Sequence, residues 1–494
     1  MAHLRRNLWA LTPWDPIILW YARAIAEMQK RPISAPGSWR WQAAIHGFHD
    51  GLIEPGDALP NDADIEDYWN QCQHGSWYFL PWHRGYLAAF EAIVRAAVVG
   101  LGGPQDWALP YWDCSKPEWQ RLRPEFCAPK LPDGQDNKLF VVQRREHFET
   151  GDVGIDPRGV ALDRILIEPR FGGSSSGGST GFGGPETDFF HGPGASGALE
   201  GGIHNYIHGR VGGSGGFMSS FEEAGLDPLF WLHHCNIDRL WEVWRSRDKV
   251  HADPAEAHWR TGPRTKKFKV HGSDGKVWTF TSQQMVDTKA PSLNYEYEDV
   301  TDPLAGIARP PHLKPFAAAP RRPAGKLAMV GKRKTGIRML GASTPGMKLG
   351  SGRRSATVAI QRPKKAGRLK GLTGGSMDLG PDRILLNIEN ITGTDRGQAY
   401  HVYVNLPDDG DPETDERHYV GMMSLFGIDT ASAPNGPHAG NGLSYVFDIT
   451  RLAAERPGGT RKADEITIDF VSDDQDVSAE AAQVGRISIV RETP

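Results

Sequence analysis

The sequence predicts a mainly α-helical N-terminal domain followed by a C-terminal antiparallel β-sandwich domain. Three observations lead to this prediction: helical periodicity dominates residues 15–250, a basic stretch follows, and short alternating strands fill the remainder. A chain of 494 residues is also too long for one ordinary hydrophobic core. We therefore expect a helical domain at residues 1–300, a linker at 301–355 and a β domain at 356–494.

Two segments of the N-terminal domain carry clear helical patterns. Apolar residues from Leu87 to Ala97 recur at three- to four-residue spacing, so a helix is expected to begin just after His83. The segment DPLFWLHHCNIDRLWEVW (227–244) starts with Asp227 as a cap and proline in the first turn. His234 lies on the apolar stripe of this second helix, which predicts a histidine in the interior.

Between these helices, the segment FGGSSSGGSTGFGG (171–184) is rich in Gly and Ser and predicts a mobile surface loop. Farther on, residues 309–370 contain 17 Lys or Arg and no Asp or Glu. We interpret this stretch as a protease-susceptible linker, although a basic patch could also bind polyanions. Beyond residue 380, turn-rich segments separate six predicted strands: ILLNIENI, AYHVYVNL, HYVGMMSLFG, LSYVFDI, EITIDFV and GRISIV.

The composition and charge of the chain argue against several classes of function. The formal net charge of −4 gives no reason to expect binding to nucleic acid or to an anionic membrane. No apolar run approaches the length of a membrane span. Four cysteines do not form a disulfide framework, and the N-terminus resembles neither a signal peptide nor a transit peptide. We therefore expect a cytoplasmic protein that acts on small molecules.

Histidines form two groups along the chain. His204 and His208 stand four residues apart, which on a helix places both imidazoles on one side. Together with His234 they would supply three neutral nitrogen ligands to a metal ion and leave coordination positions open.

A second set begins with HGSWYFLPWH, which runs from His74 to His83 and encloses apolar residues that would keep water out. His46 is the expected third member, with His49 as a weaker alternative. Two sites made only of imidazoles disfavour magnesium and calcium and leave zinc, iron and copper open.

Four motifs in order, WQAAIHG, HGSWYFLPWHR, HNYIH and DPLFWLHHCNID, resemble the central domain of the tyrosinase, catechol oxidase and molluscan haemocyanin family. The resemblance covers roughly residues 7–300. It implies a four-helix bundle that holds two copper ions in a type-3 centre, with His233 as a neighbour rather than a ligand. The implied ligands are His46, His74 and His83 for one copper, and His204, His208 and His234 for the other.

The resemblance also implies an activity. Members with a type-3 copper centre use O2 to ortho-hydroxylate monophenols and to oxidise o-diphenols to o-quinones, so small phenols are the expected substrates. One alternative is a catechol or o-aminophenol oxidase without monophenolase activity. A more remote alternative is an oxygen carrier like haemocyanin.

Further positions match features of family subsets. Glu200 and Asn205 match residues that orient a water to deprotonate a phenol, although they could be a helix-terminal acid and a solvent-facing amide. Phe221 matches a bulky gate residue, or it belongs to the core. Cys72 stands two residues before His74, the spacing at which fungal members form a thioether; the alternative is an unmodified buried thiol.

The predicted β domain resembles the C-terminal domain of latent plant and fungal polyphenol oxidases, which shields the coppers until it is removed. The resemblance therefore implies a latent proenzyme and an activating protease. The segment VGMMSLFG (420–427) has apolar side chains suited to a plug, but core packing is the preferred interpretation of those side chains. The plug residue, the natural phenol and the oligomeric state are left open.

Overall fold

The computed structural model describes residues 2–175, 177–307, 313, 336–361, 382–436, 439–454, 464–474 and 482–493. These residues form a helical unit up to residue 307 and a β unit from residue 336 onward, which confirms the predicted fold class. Within the described residues, no helix combines the length and apolarity needed to cross a membrane.

The α-helices of the described residues are α1 (Pro16–Gln29), α2 (Trp39–His46), α3 (Asp62–Tyr68), α4 (Phe79–Gly100), α5 (Pro124–Cys127), α6 (Asp163–Leu166), α7 (Asn205–Gly212), α8 (Pro228–Arg247), α9 (Ala257–Thr261), α10 (Ile428–Ser432) and α11 (Thr450–Ala454). The strands of the helical unit are β1 (His3–Arg5), β2 (Gly172–Gly173), β3 (Gly184–Pro185), β4 (Phe268–His271), β5 (Val277–Phe280) and β6 (Tyr295–Tyr297). Those of the β unit are β7 (Gly336–Ser343), β8 (Met347–Leu349), β9 (Arg353–Ala359), β10 (Arg383–Gly393), β11 (Ala399–Val404), β12 (Tyr419–Ser424), β13 (Leu443–Asp448), β14 (Glu465–Ser472) and β15 (Ala482–Thr493).

The two patterned helices are present. Asp227 caps α8 by accepting a hydrogen bond from the Leu229 amide, as predicted. Helix α4 begins at Phe79 rather than after His83, so His83 lies within the helix. The apolar residues that precede His83 are buried all round, and such a helix start shows no periodicity in the sequence.

Helix α8 is tied to its neighbours through the buried carboxylate of Asp238. Arg84 of α4 and Arg5 of β1 pair with this carboxylate, and the hydroxyls of Tyr295 and Tyr297 of β6 donate hydrogen bonds to it. Burial opposes ionisation of Asp238, but the charges of Arg84 and Arg5 outweigh it and hold the pKa of this carboxyl below its usual range. The cluster fixes α8 beside the N-terminus of the chain.

Replacing Asp238 by asparagine should lower the free energy of unfolding of the helical unit by about 3 kcal/mol, because it leaves two buried guanidinium groups short of a counter-charge. The native pKa lies below the unfolded one, so the contribution of Asp238 is complete above about pH 4 and is lost as the pH falls further. The wild-type and variant denaturation curves, followed by tryptophan fluorescence, should therefore converge in acid. Asp133→Asn, which breaks a surface pair with Arg23, should cost less than about 1 kcal/mol; an equal cost would contradict the explanation.

Two antiparallel sheets form the β unit. One has the strand order β13-β10-β15-β7, with β8 also paired to β15, and the other has the order β12-β11-β14-β9. Residues from both sheets, such as Leu386 of β10 and Val402 of β11, share one hydrophobic core. All six strands predicted beyond residue 380 are present, and the unit is a β-sandwich.

The β unit begins earlier than predicted. Strands β7 and β8 and the start of β9 lie inside the expected linker at 301–355, so the unit starts at or before Gly336 and not at residue 356. Only Ala356 and Val358 of β9 are buried, and Arg353 and Arg354 at its start continue the basic stretch. The predicted linker at residues 308–335, apart from residue 313, lies outside the described residues.

The described residues of the Gly- and Ser-rich segment, 171–175 and 177–184, are mostly packed against their neighbours, which corrects the prediction of a mobile surface loop for them. Phe182 stacks on Trp244 of α8 with ring centroids 4.5 Å apart, and the Ser179 amide donates a hydrogen bond to Glu492 of the β unit. A Cβ on Gly173 would lie 2.1 Å from the Ser179 oxygen, so the glycine permits this close approach.

The two units meet through ion pairs. Arg383 of the β unit pairs with buried Glu168 at 2.8 Å, and Arg170 pairs with Glu492 at 2.7 Å. A further contact joins Asp156 of the helical unit to His401 of the β unit. These paired charges specify one orientation of the β unit on the helical unit.

The cluster around His401 contains enough carboxylates to suggest a cation site. Asp156, Asp473 and His401 place ligand atoms within 4.8 Å of one another. Arg158, however, directs its guanidinium at Asp156 and lies 3.4 Å from the His401 Nε2, and Arg210 pairs with Asp473 at 3.1 Å, so protein cations already pair with both carboxylates. We therefore interpret it as part of the contact between the units.

Candidate metal centre

The first histidine group comes from three elements of the helical unit. His46 ends α2, His74 lies in the loop before α4, and His83 lies in α4. Their ring centroids are 5.2 Å apart for His46 and His74, 5.8 Å for His46 and His83, and 5.2 Å for His74 and His83. All three are buried, whereas His49 lies at the surface side of the loop beside Glu223 and outside this group.

The second group consists of His204, His208 and His234. His204 ends an irregular turn, Glu200–His204, and is the residue before α7, which carries His208, while α8 carries His234. Centroids lie 4.5 Å apart for His204 and His208, 4.9 Å for His204 and His234, and 5.6 Å for His208 and His234. The predicted pairing of His204 and His208 therefore holds, although the helix itself starts only at Asn205.

The two groups face one another across a single pocket. His83 and His234 stack at 4.5 Å with an interplanar angle of 12°, and His74 lies 5.4 Å from His204. The structure thus brings together all six histidines that the sequence analysis selected.

Hydrogen bonds fix the orientation of most of these rings. Four Nδ1 atoms have a protein oxygen as their partner, at 3.0 Å (His46 to the Phe221 carbonyl), 2.8 Å (His83 to the Phe79 carbonyl), 2.6 Å (His208 to the Met218 carbonyl) and 2.8 Å (His204 to the Asn205 Oδ1). An Nδ1 that donates to an oxygen leaves the Nε2 lone pair for a metal. In the described structure, the buried Nε2 atoms of His46, His74, His83 and His204 have no hydrogen-bond partner.

Burial keeps the imidazoles neutral. Desolvation lowers the pKa of His83 to about 3 and that of His208 to about 4, and it also lowers the pKa of the other four. Neutral imidazoles bind a metal without first losing a proton. Six buried neutral nitrogens with no carboxylate among them suit copper or another transition metal better than magnesium or calcium.

His233 also lies close to the second group. Its centroid is 5.5 Å from that of His204 and 5.2 Å from that of His208, and neither of its buried ring nitrogens has a partner in the described structure. The ligand atoms of His204, His208 and His233 lie within 4.8 Å of one another, so His233 can also complete a metal site. The His234 Nε2 lies 3.4 Å from the His208 Nε2. Two nitrogens that bind one metal tetrahedrally at about 2.0–2.1 Å would be roughly 3.3–3.4 Å apart.

Glu200 and Asn205 are both buried at the edge of the centre, so Asn205 is not a solvent-facing amide, whereas Glu200 does begin the helical turn Glu200–His204. The Glu200 carboxyl accepts hydrogen bonds from the Gly75 amide at 2.9 and 3.1 Å and lies 3.7 Å from the His74 Nδ1. Burial raises the pKa of Glu200 to about 8, despite these hydrogen bonds. The backbone leaves helical geometry at Gly202, between Glu200 and Asn205.

Two phenylalanines cover the centre. Phe221 of the helical unit meets His74 edge-on at 4.8 Å. Phe426 of the β unit stacks on His208 at 4.3 Å and 27°, with its centroid 5.9 Å from His204. Core packing was the preferred interpretation for Phe426 in the sequence, and Phe426 is buried in a core, but in that of the helical unit and not that of the β-sandwich. The run VGMMSLFG was the signal available, but nothing in it shows which side chain leaves the sandwich core.

Cys72 is buried beside the first group. Three potential ligand atoms, one each from Cys72, His46 and His74, lie within 4.8 Å of one another. The Cys72 Sγ also lies 3.3 Å from the Nδ1 of His191, a residue that the sequence analysis did not select. Burial raises the pKa of the Cys72 thiol well above its usual value, so it is not a reactive surface thiolate.

Comparison with known proteins agrees with this geometry. Residues 36–159 and 171–247 match the family model of the common central domain of tyrosinase, and residues 336–492 match that of a domain of unknown function. A tyrosinase of Hahella sp. (strain CCB-MM4), HcTyr1, is 30% identical over 509 residues, which cover 98% of each chain. A chloroplastic polyphenol oxidase of Malus domestica is 26% identical over 420 residues, which cover 82% of this chain and 65% of the relative.

Solved structures share the fold of both units. Latent apple tyrosinase superposes with a TM-score of 0.62 at 21% identity and covers 100% of this chain and 97% of its own. Latent aurone synthase, a polyphenol oxidase, also gives a TM-score of 0.62, at 20% identity, and covers 100% of this chain and 90% of its own.

Proposed function

Because this chain belongs to the tyrosinase family of type-3 copper oxidoreductases, which oxidise phenols, we propose that it ortho-hydroxylates monophenols and oxidises o-diphenols to o-quinones. We also propose that the described arrangement is a latent form. The observation that carries the proposal is the pair of three-histidine groups, six buried imidazoles that face one pocket.

The cofactor is a pair of copper ions, and the donor set fits it. His46, His74 and His83 would hold one ion, and the second group defined above would hold the other. Bound copper supplies the binding and activation of O2, the oxidant. The protein contributes ligand orientation through the Nδ1 hydrogen bonds, together with a pocket from which aromatic side chains exclude water.

The substrate ring would occupy the place that Phe426 takes in the described structure. That place lies against the face of His208 and beside His204, and an aromatic ring already fits it. A phenol stacked there would present its hydroxyl to the histidine groups, while Phe221 limits how deeply the ring enters.

Glu200 and Asn205 would prepare a monophenol for hydroxylation. A water held between the Glu200 carboxylate and the Asn205 Nδ2 would accept the phenol proton, so that the substrate enters as a phenolate. Both side chains are buried and lie next to metal ligands, His74 and His204 respectively. A catechol would be oxidised without this step.

The β unit would keep the enzyme latent. Phe426 is 1% exposed and belongs to the hydrophobic core of the helical unit, although its chain segment comes from the β unit. A phenol cannot stack on His208 while Phe426 does. We propose that a protease cleaves the basic stretch between the units and so allows the β unit to leave.

One observation favours a second candidate function, a catechol or o-aminophenol oxidase without hydroxylation. Phe221 approaches His74 to 4.8 Å, which could stop a phenol from docking deeply enough for hydroxylation. The test of the proposal therefore has to separate the two reactions.

The test measures oxygen consumption and quinone absorbance of the copper-loaded full-length protein, with a monophenol and then with the matching catechol, before and after limited trypsin cleavage. Turnover of both substrates that rises after cleavage would support a latent tyrosinase. Catechol turnover alone would identify the second candidate function. Reversible oxygen binding without turnover, even after cleavage, would contradict both and indicate an oxygen carrier.

We further propose that Cys72 forms a thioether with His74. The bond would join the Cys72 Sγ to a ring carbon of His74, and the S–H and C–H hydrogens lost, with two electrons, would reduce one O2 to hydrogen peroxide. Mass spectrometry of the peptide that contains both residues, from copper-loaded and aerated protein, should show it two hydrogens lighter than its sequence. An unmodified mass, with Cys72 open to alkylation after denaturation, would contradict this; the copper-free protein is the control.

A further inference from the structure

Tyr445 of the β unit reaches one of the residues beside the metal centre. It lies on β13, is 6% exposed, and donates a hydrogen bond from its hydroxyl to the Ser424 carbonyl at 2.6 Å. The same hydroxyl accepts a hydrogen bond from the Asn205 Nδ2 at 3.4 Å. Neither Tyr445 nor Ser424 was selected from the sequence.

Every polar atom of the Asn205 side chain has a hydrogen-bond partner in the protein. Its Oδ1 faces the His204 Nδ1 at 2.8 Å, and its Nδ2 also donates to the Ser196 Oγ at 3.4 Å. A side-chain amide nitrogen carries two hydrogens, and here they have two protein acceptors, Ser196 and Tyr445. In addition, the Ser424 Oγ donates to the Asn205 carbonyl at 2.9 Å.

Contacts from both units hold Tyr445 beside Asn205. Ser444, the residue before it, forms a parallel bridge with Ala195 of the helical unit. Gly201 lies against the tyrosine ring, since a Cβ built at Gly201 would be in van der Waals contact with the Tyr445 Cε1 at 3.5 Å. Ser196, which shares the Asn205 amide with Tyr445, also hydrogen-bonds the Glu200 carboxyl. The Tyr445 hydroxyl therefore enters the polar cluster that contains Glu200 and Asn205.

We infer that Tyr445 is a positioning residue whose hydroxyl holds the Asn205 Nδ2 in a hydrogen bond. Through this bond the β unit suppresses the hydroxylation of monophenols, in addition to blocking the substrate position with Phe426. The inference rests on the proposed function, in which the Asn205 Nδ2 and the Glu200 carboxylate share a water. While Tyr445 and Ser196 accept both Nδ2 hydrogens, none remains for that water. Removal of the Phe426 ring alone therefore restores the oxidation of catechols, but the deprotonation of a monophenol stays slow.

The test compares three copper-loaded full-length variants: Phe426→Ala, the double variant Phe426→Ala/Tyr445→Phe, and the double variant Phe426→Ala/Tyr403→Phe. The measured quantity is the ratio of kcat/KM for a monophenol to kcat/KM for the matching catechol. Tyr445→Phe keeps the ring and removes the acceptor, and one hydrogen bond corresponds to a rise of about three- to tenfold in this ratio. The catechol value itself should change less than about twofold.

Tyr403→Phe is the matched control. The Tyr403 hydroxyl accepts a hydrogen bond from Arg158 across the contact between the units at 2.9 Å, and no contact joins it to Asn205. An unchanged ratio in the Tyr445 double variant, or an equal rise in the Tyr403 double variant, would overturn the inference. Absence of catechol oxidation in every variant and in the trypsin-cleaved protein would overturn the proposed function itself, and the inference with it.

Discussion

Replacing His234 by alanine is expected to abolish phenol oxidation, with a loss of more than about 100-fold in kcat/KM for a catechol. Substitution of groups that merely orient a metal ligand commonly costs about 10–100-fold, so loss of the ligand itself should cost more. The His234 Nε2 lies 3.4 Å from the His208 Nε2, and its ring stacks on His83 of the other group. The variant should therefore lose one copper ion and disturb the position of the other.

His233→Ala is the matched control for this variant. His233 is the preceding residue of α8 and is equally buried, so both substitutions remove the same volume from the same helix. The His233 variant should keep two copper ions and stay within about tenfold of the wild-type rate. Copper analysis and catechol oxidation after trypsin cleavage check both variants, and the reverse pattern would assign the ligand role to His233.

Replacing Phe426 by alanine is expected to raise catechol oxidation by the full-length protein about 10- to 100-fold. A buried phenylalanine side chain contributes roughly 1.5–3 kcal/mol, and Phe426 competes with the substrate for the face of His208. The rate of the variant before cleavage should approach that of the cleaved wild-type protein. Initial rates of quinone formation, with and without trypsin, measure the effect.

Leu425→Ala provides the control for the Phe426 variant. Leu425 precedes Phe426 and packs in the core of the β-sandwich, so its loss weakens the β unit without opening the metal centre directly. Activation confined to the Phe426 variant would support the plug. Equal activation by both variants would show that loosening the β unit, and not removal of Phe426, controls access.

Five of the six ligand candidates carried a positional signal in the sequence, whereas the resemblance to the tyrosinase family decided for His46 over His49 and for copper as the metal. His204 and His208 stand one helical turn apart, and His234 lies on an apolar helix face where an unpartnered imidazole would be costly. The bracket from His74 to His83 encloses aromatic residues. Spacing of this kind is set by local secondary structure and so can be recognised in the sequence. The structure places these side chains next to one another.

Features that depend on contacts between distant segments were not visible. Phe426 and Tyr445 act at the centre only because the β unit docks onto the helical unit. Alternating residues in a strand show which side chains share a face, but not which unit that face meets. The error at β9 has a similar origin, since only two of its seven residues are buried and its first two residues are arginines that continue the basic stretch.

An anomalous-scattering map of copper-loaded crystals, recorded at the copper absorption edge, shows whether the six histidines hold two copper ions. Two peaks are expected, one about 2.0–2.1 Å from the Nε2 atoms of His46, His74 and His83 and the other at that distance from those of His204, His208 and His234. A single peak, or a second peak bound by His233 in place of His234, would refute this assignment of the ligands.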